Sequence, residues 1–228
     1  MKGDLKEAKR LYKSKRYEQA LRELLAIDAD PAEDAELSYY LGLTYTQLGQ
    51  YDDALLYLEQ VVTNHANLLH IYQSRMVLGL IYAMTKRYSL AKFELEQLME
   101  GGYESTQVYA AYGYVLYELG EVDESLNLLQ KALTLDAENA NALNSLGYIM
   151  AEQGLDPATA VNYCREAVKK RPESYAYLDS LGWALLKAGR LEEARGYLRR
   201  AMELSSGDSL VAQHMRVLLD EIESNNLD

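Results

Sequence analysis

Apolar side chains along this chain recur every three or four residues with polar residues between them, which is the period of an amphipathic helix. Residues 37–48 read Leu-Ser-Tyr-Tyr-Leu-Gly-Leu-Thr-Tyr-Thr-Gln-Leu, and Gly49 follows them. A second apolar stretch, 52–62, begins with two aspartates, which complement the helix dipole. Because glycine tolerates the left-handed conformation that follows a helix end, the pattern predicts two helices joined by a tight turn.

The same pair of predicted helices returns along the chain at a nearly fixed interval. A glycine preceded by a large residue marks each first helix, at intervals of 37, 34, 34 and 35 residues. These glycines are Gly42, Gly79, Gly113, Gly147 and Gly182. A small residue marks each second helix with the same period, at Ala20, Ala54, Ala91, Ser125, Ala160 and Ala194. Two series that share one period near 34 residues indicate an internal repeat.

The glycines need a physical reason, since a glycine inside a helix costs about 1 kcal/mol relative to alanine. We expect that each of them lets two helix backbones approach closely. Large apolar residues on the second helices are expected to fill the remaining space, namely Leu58, Leu95, Leu129 and Leu198. The sequence therefore predicts helix pairs that pack through small residues.

The period divides the chain into six repeats and a last helix. The repeats are predicted at about 1–34, 35–71, 72–105, 106–139, 140–174 and 175–208. Residues 209–224 are predicted to form a capping helix with a polar outer face, followed by a frayed tail at 225–228. The 37-residue interval adds three residues near 64–71, which either lengthen a helix or open a loop.

The order Leu-Gly, a large residue three positions later, then Ala and a large residue four positions after it resembles the tetratricopeptide repeat (TPR) family. The chain carries this order as Leu41-Gly42-Tyr45-Ala54-Leu58, whereas Ala8 replaces the glycine in the first repeat. The segment 177–183, Tyr-Leu-Asp-Ser-Leu-Gly-Trp, is similar to TPR proteins of bacteria. The resemblance implies an all-α, right-handed α-solenoid of six helix-turn-helix units with a C-terminal capping helix.

The resemblance also implies a concave groove, lined by the first helices, that holds a peptide or a helix of a partner. The residues expected to line it are Tyr39, Leu43, Met76, Leu80, Tyr114, Tyr117, Asn144, Tyr148 and Trp183. Four of them are expected to anchor the partner, because aromatic residues dominate binding energy at interfaces. They are Tyr114, Tyr117, Tyr148 and Trp183. Asn144 is expected to hydrogen-bond the partner's backbone. The alternative is that the aromatic rings pack between repeats and only their tips reach the groove.

The net charge of −12 argues against nucleic acid and anionic membranes as partners. The charge is uneven, with +5 over residues 1–22, −16 over 23–164, +4 over 165–200 and −5 over 201–228. This pattern suits a solvated helical surface, or else the steering of a basic partner or head-to-tail self-association. Two functions follow, a scaffold or adaptor that binds a protein or peptide, and a self-associating assembly protein (a homo-oligomer) that uses its end repeats.

Candidate chemistry is sparse. Cys164 is the only cysteine and lies on an apolar helix stripe, which indicates a buried structural thiol. His65 and His70 lie five residues apart near the long interval, where a solvated junction is favoured over a metal site. The sequence contains no glycine-rich phosphate loop and suggests no pairing of a nucleophile with a base. We therefore predict no catalytic residue, no metal and no cofactor, and a chain that is not an enzyme.

The N-terminal residues lead directly into a charged helix, and no apolar run reaches transmembrane length. The sequence as written predicts a cytoplasmic protein without direct membrane insertion. If an N-terminal signal or anchor has been removed, the expectation becomes a periplasmic or membrane-anchored protein.

Overall fold

The computed structural model describes residues 3–64 and 67–225. The prediction for His65 lies outside these residues, as does the predicted frayed tail at 225–228 except for Asn225, which is the last residue of a helix. The described part of the chain forms helices and no strands, so the all-α prediction is confirmed. The helices are α1 Leu5–Lys13, α2 Tyr17–Leu25, α3 Ala35–Gln47, α4 Tyr51–Asn64, α5 Leu68–Met84, α6 Tyr88–Glu100, α7 Thr106–Glu118, α8 Val122–Leu135, α9 Ala140–Glu152, α10 Pro157–Lys170, α11 Tyr175–Lys187, α12 Leu191–Leu204 and α13 Ser209–Asn225.

The helices fall into two compact units. The N-terminal unit ends at Glu104 and contains α1 to α6, and the C-terminal unit begins at Ser105 and contains α7 to α13. Within each unit, consecutive helices pack as antiparallel pairs through the buried small and apolar residues. The division of the chain into six repeats stays a prediction.

The glycines of the first helices lie against the second helices, as predicted. A Cβ atom built on Gly42 would lie 2.6 Å from Cγ of Leu58, and one on Gly182 would lie 2.6 Å from Cγ of Leu198. At Gly147 the space is taken by Cys164, whose Sγ would lie 2.6 Å from such an atom. Burial raises the pKa of the Cys164 thiol to about 12, so the predicted structural thiol is confirmed. These contacts leave no room for a larger residue at the glycine positions.

The turns inside the helix pairs also follow the sequence. Gly49, between α3 and α4, has φ +73°, the left-handed conformation that glycine tolerates. Lys86 takes the equivalent place between α5 and α6 with φ +60°, where a residue with a Cβ atom is strained. The turn geometry is therefore kept even where the residue is unfavourable.

The residues added by the 37-residue interval lengthen α5. Gly79 is the twelfth residue of α5, whereas Gly42 is the eighth residue of α3, so the added turn lies at the N-terminal end of α5. Asn67 caps this turn, because its Oδ1 accepts from the backbone N–H of Leu69 at 3.0 Å and of His70 at 3.2 Å. Of the two alternatives, the longer helix is the correct one.

Within residues 3–64 and 67–225, none of the helices has both the length and the apolar content that a membrane span requires.

Candidate functional site

The groove residues predicted in the N-terminal unit form a largely apolar surface on α3 and α5. Leu43 and Met76 are half-buried, and Leu80 is exposed. Tyr39 is only 6% exposed. Its hydroxyl donates to Oε1 of Gln73 at 2.5 Å, and its ring stacks on His70 with 4.0 Å between the centroids. Tyr39 is therefore already satisfied by its own unit.

Four of the five groove residues predicted in the C-terminal unit line one pocket of about 260 Å³. We call it the tyrosine pocket, after the four tyrosines that line it: Tyr114, Tyr117, Tyr148 and Tyr175. Asn144 lines the same pocket. Helices α7, α9 and α11 supply the walls, and the start of α13 closes one end. The structure thus brings four of the predicted residues together.

The tyrosines keep part of their surface open. Tyr114 is 38% exposed, and Tyr117 and Tyr148 are half-buried. The rings of Tyr117 and Tyr148 meet edge to face, with 6.2 Å between centroids and 89° between planes. Burial raises the pKa of the Tyr148 hydroxyl, and the charge of Glu152 raises it further. The hydroxyl therefore stays protonated at neutral pH and is able to donate a hydrogen bond.

Asn144 carries an unsatisfied acceptor. Its Oδ1 is buried and has no hydrogen-bond partner among the described residues. A buried acceptor without a donor costs about 1–3 kcal/mol, so a native structure needs a reason to keep one. Because Asn144 lines the tyrosine pocket, a rotation of its side chain toward the pocket would let a ligand that offers an N–H group satisfy this acceptor.

Sequence reasoning missed a buried polar pair at the edge of the pocket, one member of which, Asp179, lines the pocket. Asp179 on α11 and His214 on α13 are each 3% exposed, and Nδ1 of His214 lies 2.9 and 3.0 Å from the two carboxylate oxygens. One signal was available, since Val211, His214 and Leu218 share the apolar face of α13. The pair joins α13 to α11 and so fixes the end of the pocket.

Trp183 supports the pocket instead of lining it. The indole is 7% exposed and stacks on His214 with 4.1 Å between centroids. Its Nε1–H donates to the carboxylate of Glu152, and the ammonium of Lys187 lies 4.6 Å from the ring centroid. Trp183 is thus engaged within its own unit by His214, Glu152 and Lys187.

Ser180 also lines the pocket. The hydroxyl of Ser180, beside Asp179, donates to the carbonyl of Ala176 at 2.9 Å, which is a bond within α11. In the described part of the chain, no three His, Cys, Asp or Glu side chains are grouped so as to hold a metal ion. What the pocket offers is aromatic surface, hydrogen-bonding groups and negative charge.

Comparison with known proteins identifies the repeats. A family model for the tetratricopeptide repeat matches residues 5–68, 47–100 and 151–209, and a TPR repeat model matches 113–154. A TPR repeat-containing protein of Pseudomonas aeruginosa is 33% identical over 98 residues, which are 43% of this chain and 16% of that protein. The chain therefore spans a small part of the length of this relative, whose bacterial source fits the origin expected from residues 177–183.

Solved structures share the fold at low sequence identity. A chain of the APC/C hetero-tetramer Cut9-Hcn1 matches with a TM-score of 0.77 and 18% identity, over 91% of this chain and 40% of that one. YrrB, a TPR protein with an unusual peptide-binding site, matches with a TM-score of 0.56 and 19% identity, over 81% and 93%. Helices, spacing and family models agree, and the chain belongs to the tetratricopeptide repeat family, whose members are generally non-catalytic scaffolds for protein–protein interaction.

Proposed function

We propose that this chain is a non-catalytic scaffold or adaptor that binds a peptide or helix of a partner protein in its TPR groove, with the tyrosine pocket as the main contact. The observation that carries the proposal is the buried, unpartnered Oδ1 of Asn144 among half-exposed tyrosines. A peptide backbone offers an N–H donor at almost every residue, and large aromatic side chains are the usual anchors of protein interfaces.

A neighbour of the same fold supports this proposal. YrrB is described as having a peptide-binding site, although it shares only 19% identity with this chain. The remaining predicted groove residues, Tyr39, Leu43, Met76, Leu80 and Trp183, have smaller roles in the proposal. Leu43, Met76 and Leu80 supply apolar contact in the N-terminal unit, whereas the buried Tyr39 and Trp183 hold the neighbouring side chains in place.

The test is selection of peptides from a random phage-displayed library on the full chain. Tyr114→Ala combined with Tyr148→Ala should abolish capture of the selected peptides while the helical circular dichroism and melting temperature remain close to those of the wild type. The matched control is Tyr51→Ala combined with Tyr163→Ala, which removes two half-buried tyrosines outside the pocket. Undiminished capture by the folded pocket variant would overturn the proposal.

The second candidate, a self-associating assembly protein that uses its end repeats, rests on the charge pattern. Residues 1–22 and 165–200 are basic, whereas 23–164 carry −16. Attraction between exposed charges weakens as salt rises. Light scattering at low and high salt separates the two functions, because a salt-sensitive oligomer supports assembly and a monomer under both conditions supports the adaptor.

A further inference from the structure

The ionisable side chains that line the tyrosine pocket are acids and tyrosines. Glu118, Asp179 and Asp208 contribute carboxylates, and among the described lining residues there is no lysine, arginine or histidine. The pocket therefore combines negative charge with aromatic faces. This combination is the one that recognises cations, because a ring attracts positive charge through its quadrupole and a carboxylate attracts it directly.

Two of the three carboxylates can still accept a hydrogen bond or pair with a cation. Asp208 caps α13 with Oδ1 alone, which accepts from the N–H of Leu210 at 2.9 Å and of Val211 at 3.3 Å, and its Oδ2 bonds to no described residue. Glu118 is exposed and forms no ion pair within the described part of the chain. Both carboxylate oxygens of Asp179 are already in contact with His214.

Two cations of the C-terminal unit lie against aromatic rings outside the pocket. Lys187 lies over the ring of Trp183, and Arg171 lies with its guanidinium carbon 5.9 Å from the ring centroid of Tyr177. These contacts also show that this unit already places basic side chains on aromatic faces. The pocket itself presents tyrosine rings, and none of its lining residues is basic.

The tyrosines themselves report the negative field. After burial, the charges of Glu152 and Glu118 are the causes that raise the pKa of the Tyr117 hydroxyl. At Tyr148, Glu152, Asp179 and Glu118 all act in the same direction. A positive charge that entered the pocket would relieve this repulsion.

We propose that the tyrosine pocket takes a lysine or arginine side chain of the bound segment. The aliphatic stem of such a side chain packs on the rings and on the exposed Leu210, and its charged head meets Glu118 and Asp208. Long basic side chains at protein surfaces bury their stems and keep their charged heads in water in the same way. The inference rests on the proposed function, because the basic side chain belongs to the peptide held in the groove.

The first experiment reads the peptides selected on the full chain. The proposal expects a lysine or arginine at one fixed position beside apolar residues. A synthetic copy of the most enriched peptide, with that residue replaced by uncharged norleucine, should bind about tenfold more weakly. Selected peptides that lose binding with the Tyr114→Ala and Tyr148→Ala variant but carry no basic residue would overturn this inference and leave the proposed function standing. A selection that yields no peptide dependent on these tyrosines would overturn both.

The second experiment removes the charge from the pocket. Glu118→Gln with Asp208→Asn deletes two charges and keeps the cap of α13, since asparagine is also a good N-cap. The variant should weaken the basic peptide by about tenfold and the norleucine peptide by less than about twofold. Asp220→Asn with Glu221→Gln is the control, since it deletes the same charge from exposed positions of α13 outside the pocket. Equal effects of the two variants, or equal effects on the two peptides, would overturn the proposal.

Discussion

The two compact units are built on the same helix contact but present different surfaces. In the N-terminal unit, the first helices offer Leu43, Met76 and Leu80, and Tyr39 is closed off by Gln73. In the C-terminal unit, the corresponding helices offer the tyrosine pocket with its carboxylates. In both units the glycines contact the second helices, whereas the residues beside them on the first helices differ between the units.

The two units also differ in their buried polar contacts. The N-terminal unit holds the hydrogen bond from Tyr39 to Gln73 and the ion pair of Arg75 with Glu94, whereas the C-terminal unit holds the carboxylate–imidazole pair of Asp179 and His214. Each unit also holds one buried polar atom without a partner among the described residues, Oγ of Ser74 and Oδ1 of Asn144. Only the second belongs to a pocket-lining residue, which is why the ligand is proposed there.

The largest expected effect is on stability, and it compares the loss of the Asp179–His214 contact with the loss of the Tyr39–Gln73 hydrogen bond. Asp179→Ala leaves the buried His214 without its partner and should lower the free energy of unfolding by about 3 kcal/mol. Tyr39→Phe removes one neutral hydrogen bond and should cost about 1 kcal/mol. Urea unfolding followed by circular dichroism measures both. Trp183, the only tryptophan, stacks on His214 and reports the C-terminal unit by its fluorescence. Equal losses for the two variants would contradict the contrast.

A second prediction grades the glycine contacts. At Gly147 a Cβ atom would meet backbone, 2.8 Å from the carbonyl oxygen of Ala160, whereas at Gly79 the nearest atom is Cγ of Leu95 at 3.1 Å. Gly147→Ala should therefore cost about 3 kcal/mol, and Gly79→Ala about 1 kcal/mol, by overpacking. Gly196→Ala is the matched control in α12, where nothing lies within 4 Å, and it should stabilise the protein by about 0.5–1 kcal/mol. If Gly196→Ala also lowered the free energy of unfolding, contact with the second helix would not explain the losses at Gly147 and Gly79.

A third prediction concerns the turns that the two units share. Lys86 has φ +60° and Gly189, in the equivalent turn of the C-terminal unit, has φ +72° with nothing within 4 Å of its built Cβ atom. Lys86→Gly should raise the free energy of unfolding by about 0.5–1 kcal/mol, and Gly189→Lys should lower it by a similar amount. Thermal unfolding of the reciprocal pair measures this. Changes of the same sign in both variants would exclude backbone strain as the cause.

The fold could be predicted from the sequence because the residues that pack between helices recur at a fixed interval. Gly42 and Gly182 lie where two helices contact each other, and Gly49 lies in the turn between two helices. The spacing of such glycines along the sequence therefore predicts the helix pairs. The added turn of α5 was not decided by the spacing. Residues beyond the period fit a loop as well as a helix, and the side chain of Asn67 settles the choice by capping the helix.

The site was less open to prediction, because groove residues follow no period. Tyr114 and Tyr148 were selected by their places on the first helices, and the structure brings them together. The contribution of α13 was missed, since a capping helix stands outside the repeat and its residues have no equivalents to compare. Asp208 and His214 therefore entered only with the structure, and Trp183 proved to be packed on His214 instead of facing the pocket.

The smallest expected effect is a pH dependence confined to the N-terminal unit. Burial lowers the pKa of the His70 imidazole below its ordinary value of 6.5, with Glu36 opposing this and Lys9 adding to it. As the pH falls below about 6.5, the unfolded chain gains a proton at His70 before the folded chain does. The free energy of unfolding therefore decreases as the pH decreases. His70→Phe keeps a ring against Tyr39 without a titrating group. Urea unfolding between about pH 7 and pH 5 should show a smaller loss for His70→Phe than for the wild type, and parallel pH profiles would contradict the assignment.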